Sequence, residues 1–230
     1  MTSLETTMTS ANQSMIAGGH HYTTTGLDNR KVAIWAFIGS ECMLFTSLIS
    51  TYLIYKGRSL VGPFPHEAWT NPQTGQAFPP ILDIPVTSAS TFVLLMSSLA
   101  MVLAHNAVVN KHVPKTTTGE RILGSSKLWL GTTALFGLIF LMFQAYEFTS
   151  FVHEGLTIRT NLFGSSFFTL TGFHGAHVTA GVLWLLSLLA IDFKRGLVPG
   201  DALNVDLAAL YWHFVDVVWI VIFTLVYLIQ

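Results

Sequence analysis

The chain has 230 residues, of which 51% are hydrophobic and only 10% are charged. A soluble domain is about a quarter charged, so this composition indicates an integral membrane protein and excludes disorder over most of the chain. The 11 lysines and arginines are balanced by 12 aspartates and glutamates, which leaves no basic excess for binding nucleic acid. The single cysteine, Cys42, excludes an internal disulfide and any zinc or iron–sulfur site built from cysteines.

Five long apolar stretches separate the charged segments. They cover residues 32–55, 86–109, 128–152, 162–191 and 207–229. Each is long enough to cross a hydrocarbon core of ~30 Å as a helix of ~20 residues. Lipid cannot satisfy backbone polar groups, and these stretches do not alternate like barrel strands, so helices are expected. The predicted fold class is therefore all-α, an integral membrane bundle of five transmembrane helices.

The segments outside these stretches predict the domain organisation and the orientation. Residues 1–29 lack the apolar region of a cleavable signal peptide and are expected to form a flexible cytoplasmic tail. Residues 30–230 form the membrane domain, with an irregular, proline-rich outer loop at 56–85. A cytoplasmic N-terminus leaves only Lys56, Arg58 and Arg159 outside, which agrees with the positive-inside rule and places the C-terminus outside.

Ionisable residues within the spans are the main functional candidates, because a charged or ionisable group in hydrocarbon is costly. They are Glu41, Glu147, His174, His177, His213 and Asp216. At 1.5 Å per helical residue, Glu41 and Asp216 each lie ~15 Å from the inner edge of their spans. His177 and His213 are expected at a similar depth in the inner half of the bilayer, whereas Glu147 is expected near the outer surface.

The fourth span has two distinct faces. His174 and His177 lie on one face of the predicted helix, close to Gly181 in direction. A second stripe of small residues allows a neighbouring helix to approach closely, and consists of Gly172, Ala176 and Ala180. This helix is therefore expected to pack between others, with its histidines directed into protein.

The fifth span combines a polar pair with an aromatic stripe. His213 and Asp216 are three residues apart and are neighbours on one helix face. Asp216 is expected to accept a hydrogen bond from the imidazole and to fix its tautomer. Trp212 and Trp219, seven residues apart, form a separate packing stripe.

Each polar candidate has a structural interpretation beside a functional one. His174-x-x-His177 is compatible with metal or haem ligation, although axial haem histidines usually come from different helices. Gln144-x-x-Glu147 is most simply a polar clamp to a neighbouring helix or loop. Glu41 has no basic residue on its own span, so its carboxyl group is expected to be neutral in apolar surroundings. Its role is either a structural hydrogen bond or a step in proton transfer.

Three sequence runs strongly resemble those of the cytochrome oxidase subunit III family. They are Gly164-Ser-Ser-Phe-Phe, Thr171-Gly-Phe-His-Gly-Ala-His-Val178 and Tyr211-Trp-His-Phe-Val-Asp-Val-Val-Trp219. Gln144-x-x-Glu147 and the lone Glu41 also fit, and the resemblance covers about residues 30–230 in the right order. The chain is similar to the short bacterial form, which lacks the first two of the seven helices of the long form.

The resemblance implies a non-catalytic subunit of a haem–copper terminal oxidase. Such a subunit binds no redox cofactor and packs beside catalytic subunit I, which holds the haems and copper, with subunit II in the same complex. Family members bind phospholipids, sustain proton uptake and protect the catalytic subunit during turnover. The resemblance also implies that Glu41 is the family's carbodiimide-reactive carboxyl, that the signature histidines and acids are helix contacts rather than metal ligands, and that the location is the bacterial inner membrane.

Two other classes of protein remain open at this point. The nearer one is a similar accessory subunit of a quinol oxidase or a nitric oxide reductase, because electron-donor sites lie on other subunits. The farther one is a free-standing haem-binding or proton-coupled membrane protein. Transporters usually contain inverted repeats or broken helices, which this sequence does not display.

Overall fold

A computed structural model describes residues 28–60, 62–70, 75, 77–78, 80, 82–111 and 117–229. The chain divides into two units, Met1–Phe37 and Ile38–Gln230. The expected tail at residues 1–29 lies outside the described residues except for its last two. The described part of the first unit is the beginning of a long helix. All packing described below belongs to the second unit.

Five helices in the described chain are long and apolar enough to cross a membrane. The helices are α1 (Asn29–Tyr55), α2 (Ile84–Val109), the short α3 (Thr118–Leu123), α4 (Ser126–His153), α5 (Leu162–Lys194) and α6 (Ala202–Phe223). A 3₁₀ turn, Pro199–Asp201, precedes α6, and a π-helical segment, Thr224–Leu228, extends it. The predicted all-α class with five transmembrane helices is confirmed.

A small hairpin lies between α1 and α2. Strand β1 (Trp69–Thr70) pairs antiparallel with β2 (Ala77–Phe78), with Trp69 opposite Phe78. These are the only strands among the described residues, and each has two residues. The hairpin therefore gives part of the loop a regular structure but does not change the fold class.

Capping residues and a glycine define the ends of the long helices. The Asp83 side chain accepts a hydrogen bond from the Val86 amide at 3.3 Å and caps α2. The Asn161 side chain accepts from the Gly164 amide at 2.7 Å and caps α5. Such caps satisfy amide groups that lack a partner in the first helical turn. Gly155 follows the end of α4 with φ of 87°, a left-handed conformation that glycine adopts without steric cost.

Four of the long helices form a bundle in which α2 and α5 each pack against both α4 and α6. Its interior is filled by large side chains, including the fully buried Trp212, Trp219 and Phe140. Helix α1 is different, because only two of its residues, Phe45 and Tyr52, are buried. The bundle is therefore held mainly by close packing among four helices, to which α1 adds a smaller contact.

Two glycines make room for the indole ring of Trp212. A Cβ atom on Gly137 of α4 would lie 2.6 Å from Trp212 Cη2 and 2.7 Å from Val182 Cγ2. A Cβ on Gly181 of α5 would lie 2.8 Å from the same indole. Small residues of this kind let transmembrane helices approach closely. The absence of a side chain at these two positions thus determines the spacing of α4, α5 and α6.

Replacing Gly137 by alanine is expected to destabilise the bundle, because the added methyl group overlaps the Trp212 ring. Overpacking of this kind costs about 1–3 kcal/mol. The matched control is Gly131→Ala on the same helix, where the new Cβ would meet Leu189 at 4.0 Å. Thermal unfolding in detergent should give a lower midpoint for Gly137→Ala only. Equal midpoints for the two variants would contradict the packing described.

Candidate functional site

Glu41 of α1 and His177 of α5 form a polar contact between these two helices. Glu41 Oε2 lies 3.1 Å from His177 Nε2, and the two side chains are only 16% and 15% exposed. One turn further along α1, the ring of Phe45 packs edge-on against the imidazole, with 5.0 Å between centroids. The structure therefore brings together two candidates that the sequence placed at a similar depth.

The hydrogen bonds of His177 determine where its protons lie. Its Nδ1 is 2.7 Å from the Phe173 carbonyl oxygen, and a carbonyl oxygen can only accept, so Nδ1 carries a hydrogen. Nε2 then either accepts a hydrogen from a neutral Glu41 carboxyl group or donates one to its carboxylate. In both cases one proton lies between Glu41 and His177, and the pair as a whole is neutral.

His174 connects α5 to α6 in the centre of the bundle. Its side chain is fully buried, and Nε2 lies 3.3 Å from the Val215 carbonyl oxygen, to which it donates. The imidazole packs against Trp219 at 4.7 Å between centroids, with Phe140 at 5.8 Å. The two histidines of His174-x-x-His177 thus have different partners: His174 contacts α6, whereas His177 contacts Glu41 of α1.

Gln144 and Glu147 of α4 each reach another helix. Gln144 Nε2 donates to the Thr171 carbonyl oxygen of α5 at 2.8 Å. Glu147 is only 8% exposed, and its Oε1 accepts hydrogen bonds from the Thr87 hydroxyl at 2.8 Å and the Tyr227 hydroxyl at 3.0 Å. Glu147 thereby joins α4 to the start of α2 and to the π-helical end of the chain.

A row of hydroxyl groups on α2 faces α6, and the sequence analysis did not identify it. The Trp212 indole donates to Ser97 Oγ at 2.9 Å, and the Trp219 indole donates to Thr91 Oγ1 at 2.9 Å. Thr87 and Thr91 are four residues apart, which is helical spacing, but Ser97 follows six residues later, so the periodicity of hydroxyl residues was only a partial signal.

The expected bond between His213 and Asp216 is absent, and this expectation was wrong. His213 Nδ1 instead lies 2.6 Å from the Ser98 hydroxyl of α2. Asp216 is 3% exposed, and neither of its carboxyl oxygens makes a hydrogen bond in the described structure. Both side chains project from α6 towards α2, so the imidazole contacts a residue of the facing helix rather than its neighbour on its own helix.

The stripe of small residues on α5 faces away from the other helices of this chain. Ala176 and Ala180 are exposed, and a Cβ on Gly172 would meet no atom within 4 Å. The close approaches of α5 are made at Gly175 and Gly181 instead. Among the described residues no neighbouring helix packs against the stripe, contrary to the expectation from the sequence.

Polar contacts also join the beginning of α4 and the end of α5. The buried Asp192 accepts hydrogen bonds from the Ser126 hydroxyl at 2.6 Å and the Leu197 amide at 2.8 Å. Arg195 donates to both carboxylate oxygens of Asp201, at 2.9 and 2.8 Å. These hydrogen bonds raise the pKa of the Arg195 guanidinium above its ordinary value. Among the described residues, no group of three His, Cys, Asp or Glu side chains is arranged to hold a metal ion.

The fold and these contacts define the class of protein: it is an integral membrane bundle of five spanning helices, which buried polar side chains join. The model of one family, "Cytochrome c oxidase subunit III", matches residues 4–230. The chain therefore belongs to the cytochrome c oxidase subunit III family.

Individual relatives include subunits of two kinds of oxidase. Cytochrome c oxidase subunit 3 of Bacillus sp. (strain PS3) is 40% identical over 87% of this chain and 86% of its own length. Quinol oxidase subunit 3 of Bacillus subtilis (strain 168) is 36% identical over 86% of this chain and 85% of its own. Cytochrome bo(3) ubiquinol oxidase subunit 3 of Pseudomonas aeruginosa is 34% identical over 91% and 89%.

Replacing Glu41 by glutamine is expected to leave the bundle as stable as before, because the amide can donate to His177 Nε2 in place of the carboxyl group. Glu41→Leu removes the donor and leaves a polar imidazole nitrogen unpaired, at a cost of about 1–3 kcal/mol. The control is Met43→Leu on the same helix, at a side chain that is 76% exposed. Thermal unfolding midpoints in detergent compare the variants. A large loss of stability in Glu41→Gln would argue against the shared proton.

Proposed function

We propose that this chain is the cofactor-free accessory subunit III of a bacterial respiratory haem–copper terminal oxidase. It packs beside catalytic subunit I, which holds the haems and copper, and shares the complex with subunit II. Oxygen reduction and proton pumping take place in the partner. This chain supports them by stabilising the catalytic subunit during turnover and by sustaining its proton uptake.

Family membership along residues 4–230 is the observation that carries the proposal. The internal contacts support it. His174, Gln144 and Glu147 are each engaged with another helix, as expected of a scaffold. Glu41 and His177 bond each other at the edge of the bundle, where a proton-related role in the complex is compatible with their 16% and 15% exposure.

The electron donor distinguishes two versions of the proposal. Relatives at 40% and 36% identity are named cytochrome c oxidase and quinol oxidase subunits. Because a donor site belongs to other subunits in either case, both versions predict the same contacts within this chain. We favour the cytochrome c oxidase version, and the quinol oxidase is the second candidate.

The proposed location is the inner membrane of a bacterium, with the N-terminus in the cytoplasm and the C-terminus outside. The odd number of candidate spans supports termini on opposite sides. With this orientation, eight of the 11 lysines and arginines lie inside, on the segments around Arg30, Lys111–Lys127 and Lys194.

A bound phospholipid is part of the proposal, and a groove between α1 and α5 supports it. The groove has a volume of about 250 Å³ and is lined by Leu48, Thr51, Tyr55, Leu162, Ser165, Ser166 and Thr169. The hydroxyl groups of its two threonines and two serines all donate to backbone carbonyl groups of their own chain segment. The serine and threonine hydroxyls of the groove are therefore already engaged as donors, which suits an apolar acyl chain.

Purification of the tagged chain from its native membrane in a mild detergent tests the proposal. We expect a much larger polypeptide with haem absorbance to co-purify, together with a second subunit. Oxygen consumption by this preparation with reduced cytochrome c or with a quinol then identifies the donor. Recovery of the chain alone, or a haem Soret band from this polypeptide by itself, would contradict the assignment.

Removal of this subunit is expected to shorten the working life of the enzyme rather than to abolish its initial activity. The physical reason is that the catalytic groups lie in the partner, whereas this chain covers and supports that partner. The measurement is oxygen consumption over many turnovers, with and without the subunit. The same lifetime in both preparations would refute the supporting role.

A further inference from the structure

The Ser98 hydroxyl of α2 has a different kind of hydrogen-bond partner from the hydroxyl groups near it. Thr91 Oγ1 donates to the Thr87 carbonyl oxygen, and Ser97 Oγ donates to the Leu94 carbonyl oxygen. Each accepts an indole N–H in return, so their hydrogen bonds are complete. Ser98 Oγ has no such backbone bond, and His213 Nδ1 at 2.6 Å is its one direct partner in the described structure.

The second feature of the interface between α2 and α6 is the buried carboxyl group of Asp216. It is 3% exposed and has no hydrogen-bond or ion-pair partner among the described residues. The Ser98 side chain lies close to this carboxyl group, although no direct hydrogen bond joins the two in the described structure. An unpaired carboxylate in hydrocarbon is costly, so a proton has to be held at or near this group.

The other titratable groups near this segment in the described structure include two histidines and Tyr211, whose hydroxyl donates to the His177 carbonyl oxygen. His174 of α5 donates to the Val215 carbonyl oxygen of α6 and packs against Trp219. His213 lies one turn before Asp216 on α6 and is only half-buried. From α2 the facing polar groups are the Ser98 and Ser97 hydroxyls, which carry no charge. His213 is therefore the group that can exchange a proton with Asp216 through Ser98.

We propose that Asp216, Ser98 and His213 share one proton and form a buried proton-holding site between α2 and α6. In the resting form, which prevails at neutral pH because an unpaired carboxylate is costly here, Asp216 is a neutral acid that donates to Ser98 Oγ, and the Ser98 hydroxyl donates to a neutral His213 at Nδ1. A rotation of the Ser98 hydroxyl and a small movement of the carboxyl group close the chain.

The second form follows by transfer of two hydrogens in the same direction. The Ser98 hydrogen moves to His213 Nδ1, and the Asp216 hydrogen moves to Ser98 Oγ. The products are an imidazolium, an unchanged serine and a carboxylate, so the total charge and the number of protons are conserved. The half-buried His213 is where the site can exchange with its surroundings. This inference stands independently of the oxidase assignment.

Infrared spectroscopy of the chain, in whatever complex it is purified with, tests the proposal. Labelling with [4-¹³C]aspartate separates aspartic acid bands from those of Glu41 and Glu147. We expect a protonated aspartic acid C=O band at neutral pH that is lost in Asp216→Asn and shifted in Ser98→Ala. His213→Leu should shift it as well, because the Ser98 hydroxyl loses its acceptor.

The matched control is Ser97→Ala, which removes the adjacent hydroxyl but leaves the proposed chain intact, so the band should not move. If Asp216→Asn is not recovered, the responses of the labelled band to Ser98→Ala and Ser97→Ala decide the matter. Absence of an aspartic acid band at neutral pH would overturn the proposal. So would a band that ignores Ser98→Ala or His213→Leu, or one that responds equally to both serine variants.

Discussion

Hydrocarbon contains no water to pair with a buried polar side chain, and this constraint governs how the helices are joined. Every such group has to find a partner inside the protein or remain neutral. Glu147 satisfies the requirement with two hydroxyl donors, and the Gln144 amide nitrogen donates to a backbone carbonyl oxygen, while Gln144 Oε1 has no partner in the described structure. Since these partners lie on other helices, the need to pair polar groups also fixes which helices are neighbours.

Packing contributes little to the attachment of helix α1 to the rest of the bundle. Only Phe45 and Tyr52 of this helix are buried, and Glu41 is its intramembrane link to α5 through His177. Because His177 Nδ1 donates its hydrogen to the Phe173 carbonyl oxygen, Nε2 is the atom that bonds Glu41, and one proton lies between the two. The seating of α1 thus depends on a proton as well as on contact area, which connects the architecture to the proton chemistry proposed for the complex.

The same packing gives structural roles to the histidines and tryptophans of the sequence runs that resemble the subunit III family. On α6, Trp212 and Trp219 contact hydroxyl groups of α2 and fill the centre of the bundle. The α5 histidines are directed towards α1 and α6. With these groups engaged inside the chain, the small-residue stripe on α5 stays exposed in the described structure.

The sequence by itself determined the five spans, because hydrophobic length is a local property, and it placed Glu41 and His177 at a similar depth, because helical rise is constant. It could not determine which side chains meet across two helices. His213 and Asp216 are adjacent on α6, yet the imidazole bonds to Ser98, since side-chain direction and the facing residue of α2 decide the contact. The role of Ser98, an ordinary serine in an apolar span, exists only in the packed bundle. Glycines act in the same way: Gly137 and Gly181 matter because a tryptophan of a third helix lies against them.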